Sequence, residues 1–362
     1  MNPPIEAAAR AAPNDMPPPS PTSADRLRVA LAAVTDGRTL HREEARGVMG
    51  AMMEGSASPT LLAGLLVALH MRGETVEELT GFALAMRERS LRIVAPAGAV
   101  DTCGTGGDGR GTFNISTAAA IVVAAAGVPV AKHGNRAVSS GSGSSDVLAA
   151  LGVTVEQTPG DAAAALAADG FAFLYAPAFH PAMRHAAPTR RELGVRTAFN
   201  LLGPLTNPAG LQRQLVGVAD PAAAERVART LQALGVERAF VVHGDRFDEL
   251  PLDGSGVLYD VSPAGVERRT VTPEHAGLPR AGVDQLLGAE PGESAAIIER
   301  VLGGGGGPTR DVVVLNAGAA LEVAGRVADL REGVALASQT IDAGAGREML
   351  QRLRARRRER PS

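Results

Sequence analysis

The chain has 362 residues, a formal net charge of −3 and 45% hydrophobic residues, a composition typical of a globular protein with one large or two smaller domains. Aromatic residues make up only 3% and Trp is absent, which argues against a surface that stacks single-stranded nucleic acid on aromatic rings. No segment has the ~18 to 20 apolar residues of a membrane span, and with Cys103 as the only cysteine no intrachain disulfide can form.

The N-terminal part of the chain divides into a tail and a helical segment. Residues 1–24 are rich in Pro, Ala and Ser and contain no apolar signal-peptide core, which predicts a disordered tail and a cytoplasmic protein. Residues 25–95 place apolar side chains three and four positions apart, which predicts four short helices forming a small helical domain. Ser58 before Pro59 is a typical helix start.

After Pro96 the pattern changes to alternating strands and helices, which predicts an α/β domain with a mainly parallel central sheet. The predicted strands are "AVDTC", "VPVAKH", "FAFLYAP", the stretch from Gln214 to Ala219, "RAFVVHG" and "RDVVVLNAG". Helices are expected from about Ile115 to Ala126, at "DVLAALG" and at "PAAAERVARTLQALG". The glycines at 303–307 predict a surface loop, and residues 351–362 an Arg-rich tail that is most simply a solvated helix end.

The stretch "DTCGTGGDGRGTFNIST" contains Gly104, Gly106 and Gly109 in the spacing G-x-G-x-x-G of dinucleotide-binding loops. That motif requires an acidic residue about 20 positions later to bind the ribose hydroxyls. The corresponding segment "VPVAKHGNR" has no acid and instead carries Lys132, the only lysine of the chain. A Walker A motif is also absent from the sequence, so neither nucleotide motif accounts for this loop.

The loop still has the features of an anion site. Its glycines let backbone amides approach a ligand, and Asn114, Ser116 and Thr117 stand where a helix begins. A glycine turn with a polar N-cap is the alternative interpretation. A similar segment, "SSGSGSSD" at 139–146, opens the next helix, and Lys132 lies between the two. The pair predicts a ligand with phosphates at both ends.

Two further segments carry candidate binding groups. "VVHGDRFDEL" ends a strand with Asp245, Asp248 and Glu249, hard oxygen ligands that suit Mg²⁺ shared with phosphates, unless the loop is merely solvated. Between residues 176 and 210 lie arginines able to bind a carboxylate in a bidentate manner, or else to face solvent on a helix. The basic side chains of this strip are His180, Arg184, His185, Arg190, Arg191 and Arg196.

The segments "GTGGDG…FNIST", "KHGNRAVSSGSGSSDVLAALG", "RTAFNLLGPLTNPAG" and "HGDRFDEL" resemble the anthranilate phosphoribosyltransferases of tryptophan biosynthesis, and the similarity extends from about residue 25 to 350. The resemblance implies a helical domain of residues 25–95, with a further contribution from about 181–200. It also implies an α/β domain of residues 96–180 and 201–350, a hinge between the two, and a homodimer formed through the helical domain. The reaction implied is transfer of phosphoribose from phosphoribosyl pyrophosphate (PRPP) to the amine of anthranilate, with Mg²⁺.

Carried over position by position, the resemblance also implies site residues. Those for PRPP are Gly104, Gly107, Asp108, Thr112, Asn114, Ile115, Ser116, Thr117, Lys132, His133, Gly134, Asn135, Arg136, Ala137, Val138, Ser139, Ser140 and Ser144. Those for anthranilate are Gly104, Asn135 and Arg190, and those for Mg²⁺ are Ser116, Asp248 and Glu249. No side chain is expected to act as a covalent nucleophile.

Two departures and two alternatives accompany the resemblance. Gly141 stands where many relatives carry a lysine, and "LPLDGSG" follows Glu249 in place of a run rich in Ser and Thr. A pyrimidine nucleoside phosphorylase is one alternative, but it should show lysine-serine-glycine-arginine where this chain has "KHGNR". A non-catalytic relative that binds nucleic acid is the other, and it should have a basic surface and no acidic pair.

Overall fold

The computed structural model describes residues 22–136 and 141–358. The segment after the predicted tail is helical, with α1 Ser23–Thr35, α2 Arg42–Met53, α3 Pro59–Arg72 and α4 Val76–Glu88. The side chain of Thr22 accepts the N–H of Asp25 and so fixes the start of α1, while residues 1–21 of the predicted tail lie outside the described residues. The four helices predicted from apolar spacing are therefore present.

The central sheet has seven strands in the order β3-β2-β1-β4-β5-β6-β7. Their bounds are β1 Val100–Asp101, β2 Val130–Gly134, β3 Phe171–Tyr175, β4 Arg213–Gly217, β5 Arg238–His243, β6 Gly256–Ser262 and β7 Gly265–Val271. The first five pair in parallel, as predicted, and the antiparallel hairpin of β6 and β7 was not anticipated from the sequence. In β7 the side chains are half-buried or exposed, so its apolar signal is weak.

Helices cover the sheet and link its strands. They are α5 Ile115–Ala125, α6 Ser144–Ala150, α7 Pro159–Asp169, α8 Ala176–Phe179, α9 Ala187–Leu193, α10 Ala198–Leu205, α11 Pro221–Ala233, α12 Pro291–Leu302, α13 Pro308–Val323, α14 Leu330–Asp342 and α15 Ala345–Arg358. Short 3₁₀ turns occur at Pro181–His185, Pro273–Ala276 and Val283–Leu286. Among the described residues, no helix combines the length and the apolarity that crossing a membrane requires.

One sequence prediction needs correction. "RDVVVLNAG" is not a strand but part of α13, whose residues from Val312 to Val323 are all buried. A continuous apolar run has the same appearance in a buried strand and in a buried helix, and here Pro308 at the first helical position and packing against α5 and α14 favour the helix. The helix end predicted for the Arg-rich C-terminus is present, because α15 extends to Arg358 with Leu353 buried, and residues 359–362 lie outside the described residues.

The order of the strands creates a switch point beside β1. The chain runs from β1 to β2 and β3 on one side of the sheet, and β4 and β5 then add to the other side of β1. Loops that leave the carboxyl ends of β1 and β4 therefore diverge and leave a crevice, the place where ligands bind in open α/β sheets. The predicted glycine loop follows β1, and the acidic segment follows β5.

Helices α9 and α10 pack against the N-terminal helices. α9 contacts α3, and α10 contacts α4. Phe199 and Leu202 of α10 belong to the same buried apolar cluster as Leu27 and Phe82 of the helical segment. The arginine strip between residues 184 and 196 thus runs along the boundary between the helical segment and the carboxyl edge of the sheet.

Candidate functional site

The glycine loop after β1 is held against two other segments of the sheet edge. The N–H of Thr105 donates to the carbonyl of Gly217 at the end of β4 (2.8 Å), and the N–H of Gly106 donates to Asp248 Oδ2 (2.9 Å). A Cβ atom on Gly104 would lie 2.7 Å from the same carboxylate oxygen, so any other residue there would displace the Asp248 carboxylate. The structure therefore brings the glycine loop and the acidic segment, 142 positions apart, into direct contact.

Lys132 connects the end of β2 to the first turn of α5. The side chain is 1% exposed, and its Nζ donates to the carbonyl of Thr102 (2.9 Å) and to Thr102 Oγ1 (3.2 Å). Ser116 Oγ lies 3.4 Å from the same nitrogen. The only lysine of the chain thus places a buried ammonium between the glycine loop and the helix start.

Asp248 and Glu249 form a partly buried pair of carboxylates, whereas the side chain of Asp245 is 98% exposed and lies 4.0 Å from the Arg110 guanidinium. Burial, followed by the charge of Asp108, raises the pKa of Asp248 to about 6. Burial and the neighbouring charge of Asp248 raise the pKa of Glu249 well above its usual value, which Lys132 only partly offsets. Two crowded carboxylates with raised pKa values are the donor set that a divalent cation would stabilise.

The protein alone supplies few metal ligands. Within residues 22–136 and 141–358, no three His, Cys, Asp or Glu side chains are grouped so that they could hold a metal ion. A cation at Asp248 and Glu249 would need further oxygen ligands, such as the Ser116 hydroxyl and oxygens of a bound phosphate. This fits Mg²⁺, which is usually bound by one or two carboxylates together with substrate phosphates.

Because the carboxylates of Asp248 and Glu249 repel each other, removing one of the two charges should stabilise the folded protein. Because the pKa of Glu249 is raised in the folded protein, its ionisation destabilises the fold as pH rises from about 4.5 through that raised value. We expect metal-free Glu249→Gln to have a higher Tm than the parent at pH 8, and the difference to be much smaller at pH 5. Thermal melts at both pH values check this, and a variant that melts lower at pH 8 would contradict it.

The predicted helix start at α5 joins the two loops. Asn114 Nδ2 lies 3.3 Å from Ser142 Oγ in the second loop, and Thr117 Oγ1 donates to Asn114 Oδ1 (3.4 Å). Ile115 is buried, so only its backbone can face a ligand, and Thr112 pairs with Leu287 in an isolated bridge. The first turn of α5 therefore connects the glycine loop with the segment before α6.

The structure describes some of the positions predicted in the second loop, and others lie outside the described residues. Asn135 and Arg136 are exposed, and the Arg136 guanidinium lies 3.5 Å from Glu156. Ser144 begins α6, and its Oγ lies against Gly134, where a Cβ atom would collide with it. Ala137, Val138, Ser139 and Ser140, named in the sequence analysis, lie outside the described residues.

The glycine at position 141 has a steric reason. A Cβ atom there would lie 2.7 Å from the carbonyl oxygen of Ala289 and 3.1 Å from its Cβ. Ala289 stands just before α12, in the segment that also pairs with the glycine loop through Leu287. A lysine at position 141 would therefore require this segment to move.

A buried network below the site was not identified from the sequence. Asp101 is fully buried and accepts hydrogen bonds from Asn207 Nδ2 (2.7 Å) and the N–H of His133 (3.2 Å). Burial raises the pKa of Asp101 to about 6, while the nearby Lys132 opposes the shift. Asn207 also donates to the carbonyl of Ala131 and so ties the "PLTNP" segment to β2. The sequence does contain a signal for this network, because polar residues in an otherwise apolar strand and loop indicate buried hydrogen bonds.

Two histidines lie together next to this network. The rings of His133 and His180 are 5.2 Å apart between centroids, and both side chains are buried. Burial lowers the pKa of His133 to about 3 and that of His180 to about 4, so both are neutral. The side chain of His133 therefore brings no positive charge to a phosphate.

The arginine strip separates into buried and exposed members. Arg184, His185 and Arg191 are exposed. Arg190 is half-buried with its guanidinium 4.7 Å from the centre of the Phe199 ring, and burial lowers its pKa. No carboxylate of the described residues forms an ion pair with Arg190, which leaves this cation available to an anionic ligand. Arg196 instead donates to the carbonyl oxygens of the glycine loop.

Comparisons with known proteins place both parts of the chain in one family. Residues 97–347 match the model of the glycosyl transferase family a/b domain, and residues 28–90 match that family's helical bundle domain. The chain is 49% identical over 328 residues to the anthranilate phosphoribosyltransferase of Afipia carboxidovorans, covering 90% of this chain and 97% of the relative. It is 51% identical over 331 residues to that of Symbiobacterium thermophilum, covering 91% and 97%.

Solved structures show the same similarity. The crystal structure of anthranilate phosphoribosyltransferase from Thermus thermophilus aligns with a TM-score of 0.86 at 48% identity, covering 91% of this chain and 99% of the other. The Saccharomyces cerevisiae enzyme in complex with PRPP and Mg aligns with a TM-score of 0.84 at 25% identity, covering 92% and 98%.

Proposed function

This chain belongs to the anthranilate phosphoribosyltransferase family of glycosyl transferases, and we propose that it transfers the 5-phosphoribosyl group of PRPP to the amine of anthranilate, releasing pyrophosphate, in tryptophan biosynthesis. The observation that supports this most strongly is the convergence of the glycine loop, the Lys132 ammonium and the Asp248–Glu249 pair at one crevice of the sheet. Such a site suits a ligand that carries several phosphate charges together with a divalent cation.

PRPP would occupy the crevice between the glycine loop and the loop after β2. The amides of Gly104 and Gly107 and the polar start of α5, Asn114 to Thr117, would bind the pyrophosphate oxygens. Lys132 would stabilise the negative charge that grows on the departing pyrophosphate, an electrostatic contribution of several kcal/mol in a site shielded from water. The other described positions inferred for PRPP are Asp108 and Thr112 in the glycine loop, His133 and Gly134 at the end of β2, Asn135 and Arg136 directly after it, and Ser144 at the start of α6.

Mg²⁺ would be held by Ser116, Asp248 and Glu249, and when bound it would neutralise charge on the pyrophosphate. The crowding of the two carboxylates, which raises both pKa values, supports this assignment. So does the relative from Saccharomyces cerevisiae, whose structure was obtained with PRPP and Mg.

Anthranilate would bind on the helical side of the crevice. The Arg190 guanidinium, unpaired among the described side chains, would bind the anthranilate carboxylate, and Asn135 and the backbone at Gly104 would orient the ring and its amine. The amine attacks the ribose carbon as pyrophosphate leaves, and no covalent intermediate with the protein is required. Holding the amine next to that carbon provides much of the rate acceleration, because a well-oriented pair reacts as an effectively unimolecular system.

The test is a fluorescence assay. We expect anthranilate fluorescence to fall when the protein, PRPP and Mg²⁺ are all present, and to stay constant when any one of them is omitted. Constant fluorescence in the complete mixture at high protein concentration would refute the proposed activity. Release of a free pyrimidine base from a nucleoside in the presence of phosphate would instead support the nucleoside phosphorylase alternative.

We also propose a cytoplasmic homodimer formed through the helical domain. Val29 of α1 and Met71 of α3 are 68% and 81% exposed, so these two apolar side chains, on helices that contact each other, are available to an interface formed by the helical domain. Light scattering coupled to size-exclusion chromatography should give twice the chain mass. Val29→Glu with Met71→Glu should shift it to the mass of one chain.

A further inference from the structure

Arg196 lies in the link between α9 and α10 and reaches the glycine loop. Its Nη1 donates to the carbonyl of Gly107 (3.1 Å) and more weakly to the carbonyl of Gly106 (3.4 Å). Its Nη2 is buried without a hydrogen-bond partner, and no carboxylate among the described residues pairs with the guanidinium. The Arg196 guanidinium therefore donates only to backbone carbonyls of the glycine loop, the loop that the proposed function assigns to pyrophosphate.

The loop has little stiffness of its own. Gly106, Gly107 and Gly109 adopt φ values of 64°, 74° and 71°, a region that only glycine enters freely. Glycine-rich backbone loses more conformational entropy on ordering than any other, so such a loop needs external contacts to hold one shape. In this structure the Gly106 residue is held at both of its polar groups, since its N–H donates to Asp248 and its carbonyl accepts from Arg196.

The direction of these contacts decides where the loop amides point. In a trans peptide, the carbonyl of one residue and the N–H of the next point in opposite directions. A guanidinium that attracts the carbonyls of Gly106 and Gly107 therefore turns the N–H groups of Gly107 and Asp108 away from itself. Anion binding by such a loop requires its N–H groups, and not its carbonyls, to face the ligand.

We propose that Arg196 is a positioning residue that fixes the peptide orientation of the glycine loop for PRPP. This inference rests on the proposed function. Arg196 comes from the same segment as Arg190, only six positions away. α10, which follows Arg196, packs against α4, so the helical side of the molecule holds the phosphate-binding loop through this side chain.

The test compares Arg196→Gln, Arg196→Lys and the control Arg191→Gln, which removes a charge from an exposed side chain of the same segment. Calorimetric titration with PRPP and Mg²⁺ should show binding weakened by about 10- to 100-fold in Arg196→Gln, the effect of losing a charge-assisted hydrogen bond. Arg196→Lys should recover part of it, and the control should bind as the parent does. The KM for PRPP should rise with the dissociation constant, while the KM for anthranilate should change by less than about threefold.

Hydrogen–deuterium exchange of the ligand-free protein gives an independent result. Amides of residues 104–111 should exchange faster in Arg196→Gln, with the rest of the chain and the Tm unchanged. Unchanged exchange and unchanged PRPP binding in that variant would overturn the proposal, and so would an equal rise in both KM values together with a lower Tm. If the parent protein itself fails to bind PRPP, the proposed function fails, while faster exchange of the loop would still support the positioning role of Arg196.

Discussion

Replacing Asp248 with Asn and Glu249 with Gln in one variant is expected to lower Mg²⁺-dependent turnover by about 10³-fold or more. Both side chains keep their shape but lose the charge that would hold the cation. They lie where the glycine loop, Lys132 and the α5 start converge, so the cation would no longer be fixed next to the pyrophosphate. The new side chain at position 248 keeps an amide oxygen that can still accept from the N–H of Gly106, so the loop should keep its place.

The measurement is turnover across a Mg²⁺ titration, with circular dichroism and thermal melts as controls for folding. Because removal of a crowded negative charge is expected to raise stability, a loss of activity accompanied by an unchanged or higher Tm would separate metal binding from unfolding. Unchanged turnover over the whole titration would exclude these two residues as metal ligands. The single variants should each show a smaller loss together with a higher Mg²⁺ requirement.

Protons should compete with the metal at the same site. With the pKa of Asp248 near 6 and that of Glu249 also raised, a larger part of the pair is protonated as pH falls from 8 towards 5.5. The Mg²⁺ concentration needed for half-maximal activity should therefore rise on acidification. In the double variant this dependence on pH should disappear.

Substitution of Arg190 should act on the other substrate. Arg190→Ala is expected to raise the KM for anthranilate by about 10- to 100-fold and to leave the KM for PRPP within about threefold. Burial lowers the pKa of this guanidinium and no carboxylate of the described residues pairs with it, so the anthranilate carboxylate would be its main counter-charge. The guanidinium also lies over the Phe199 ring, and alanine would remove that packing as well.

Matched variants separate charge from packing at this position. Arg190→Gln retains part of the side-chain stem but loses the positive charge, and Arg190→Lys retains the charge but loses the planar fork that binds a carboxylate at two points. We expect KM for anthranilate to follow the order Gln, Lys, parent, from weakest to tightest binding. An equal increase of both KM values in all variants would indicate a defect of the fold in place of a substrate contact.

Local patterns in the sequence were sufficient for much of the fold. Apolar residues three and four apart predicted α1 to α4, and short apolar runs bounded by glycine predicted the five parallel strands. The missing acid after β2 and the presence of Lys132 there predicted an anion site at the glycine loop; the structure places Lys132 against Thr102 and Ser116, and anion binding itself stays a prediction. These features depend on neighbours in the chain, which periodicity and turn chemistry describe directly.

Other features depend on which distant segments meet, and only the tertiary structure decided them. The buried apolar run of α13 has no periodicity that distinguishes a helix from a strand. The apolar alternation of β7 is weak, so the sequence did not predict the hairpin of β6 and β7. The sequence has several basic side chains between residues 180 and 196, and nothing in it indicates which of them face a ligand. In the structure Arg190 packs on the Phe199 ring and Arg196 donates to the glycine loop. The same arginine is a surface cation or a buried donor according to the segment that packs opposite it. That segment is often distant in sequence, so it is known only once the chain has folded around the sheet.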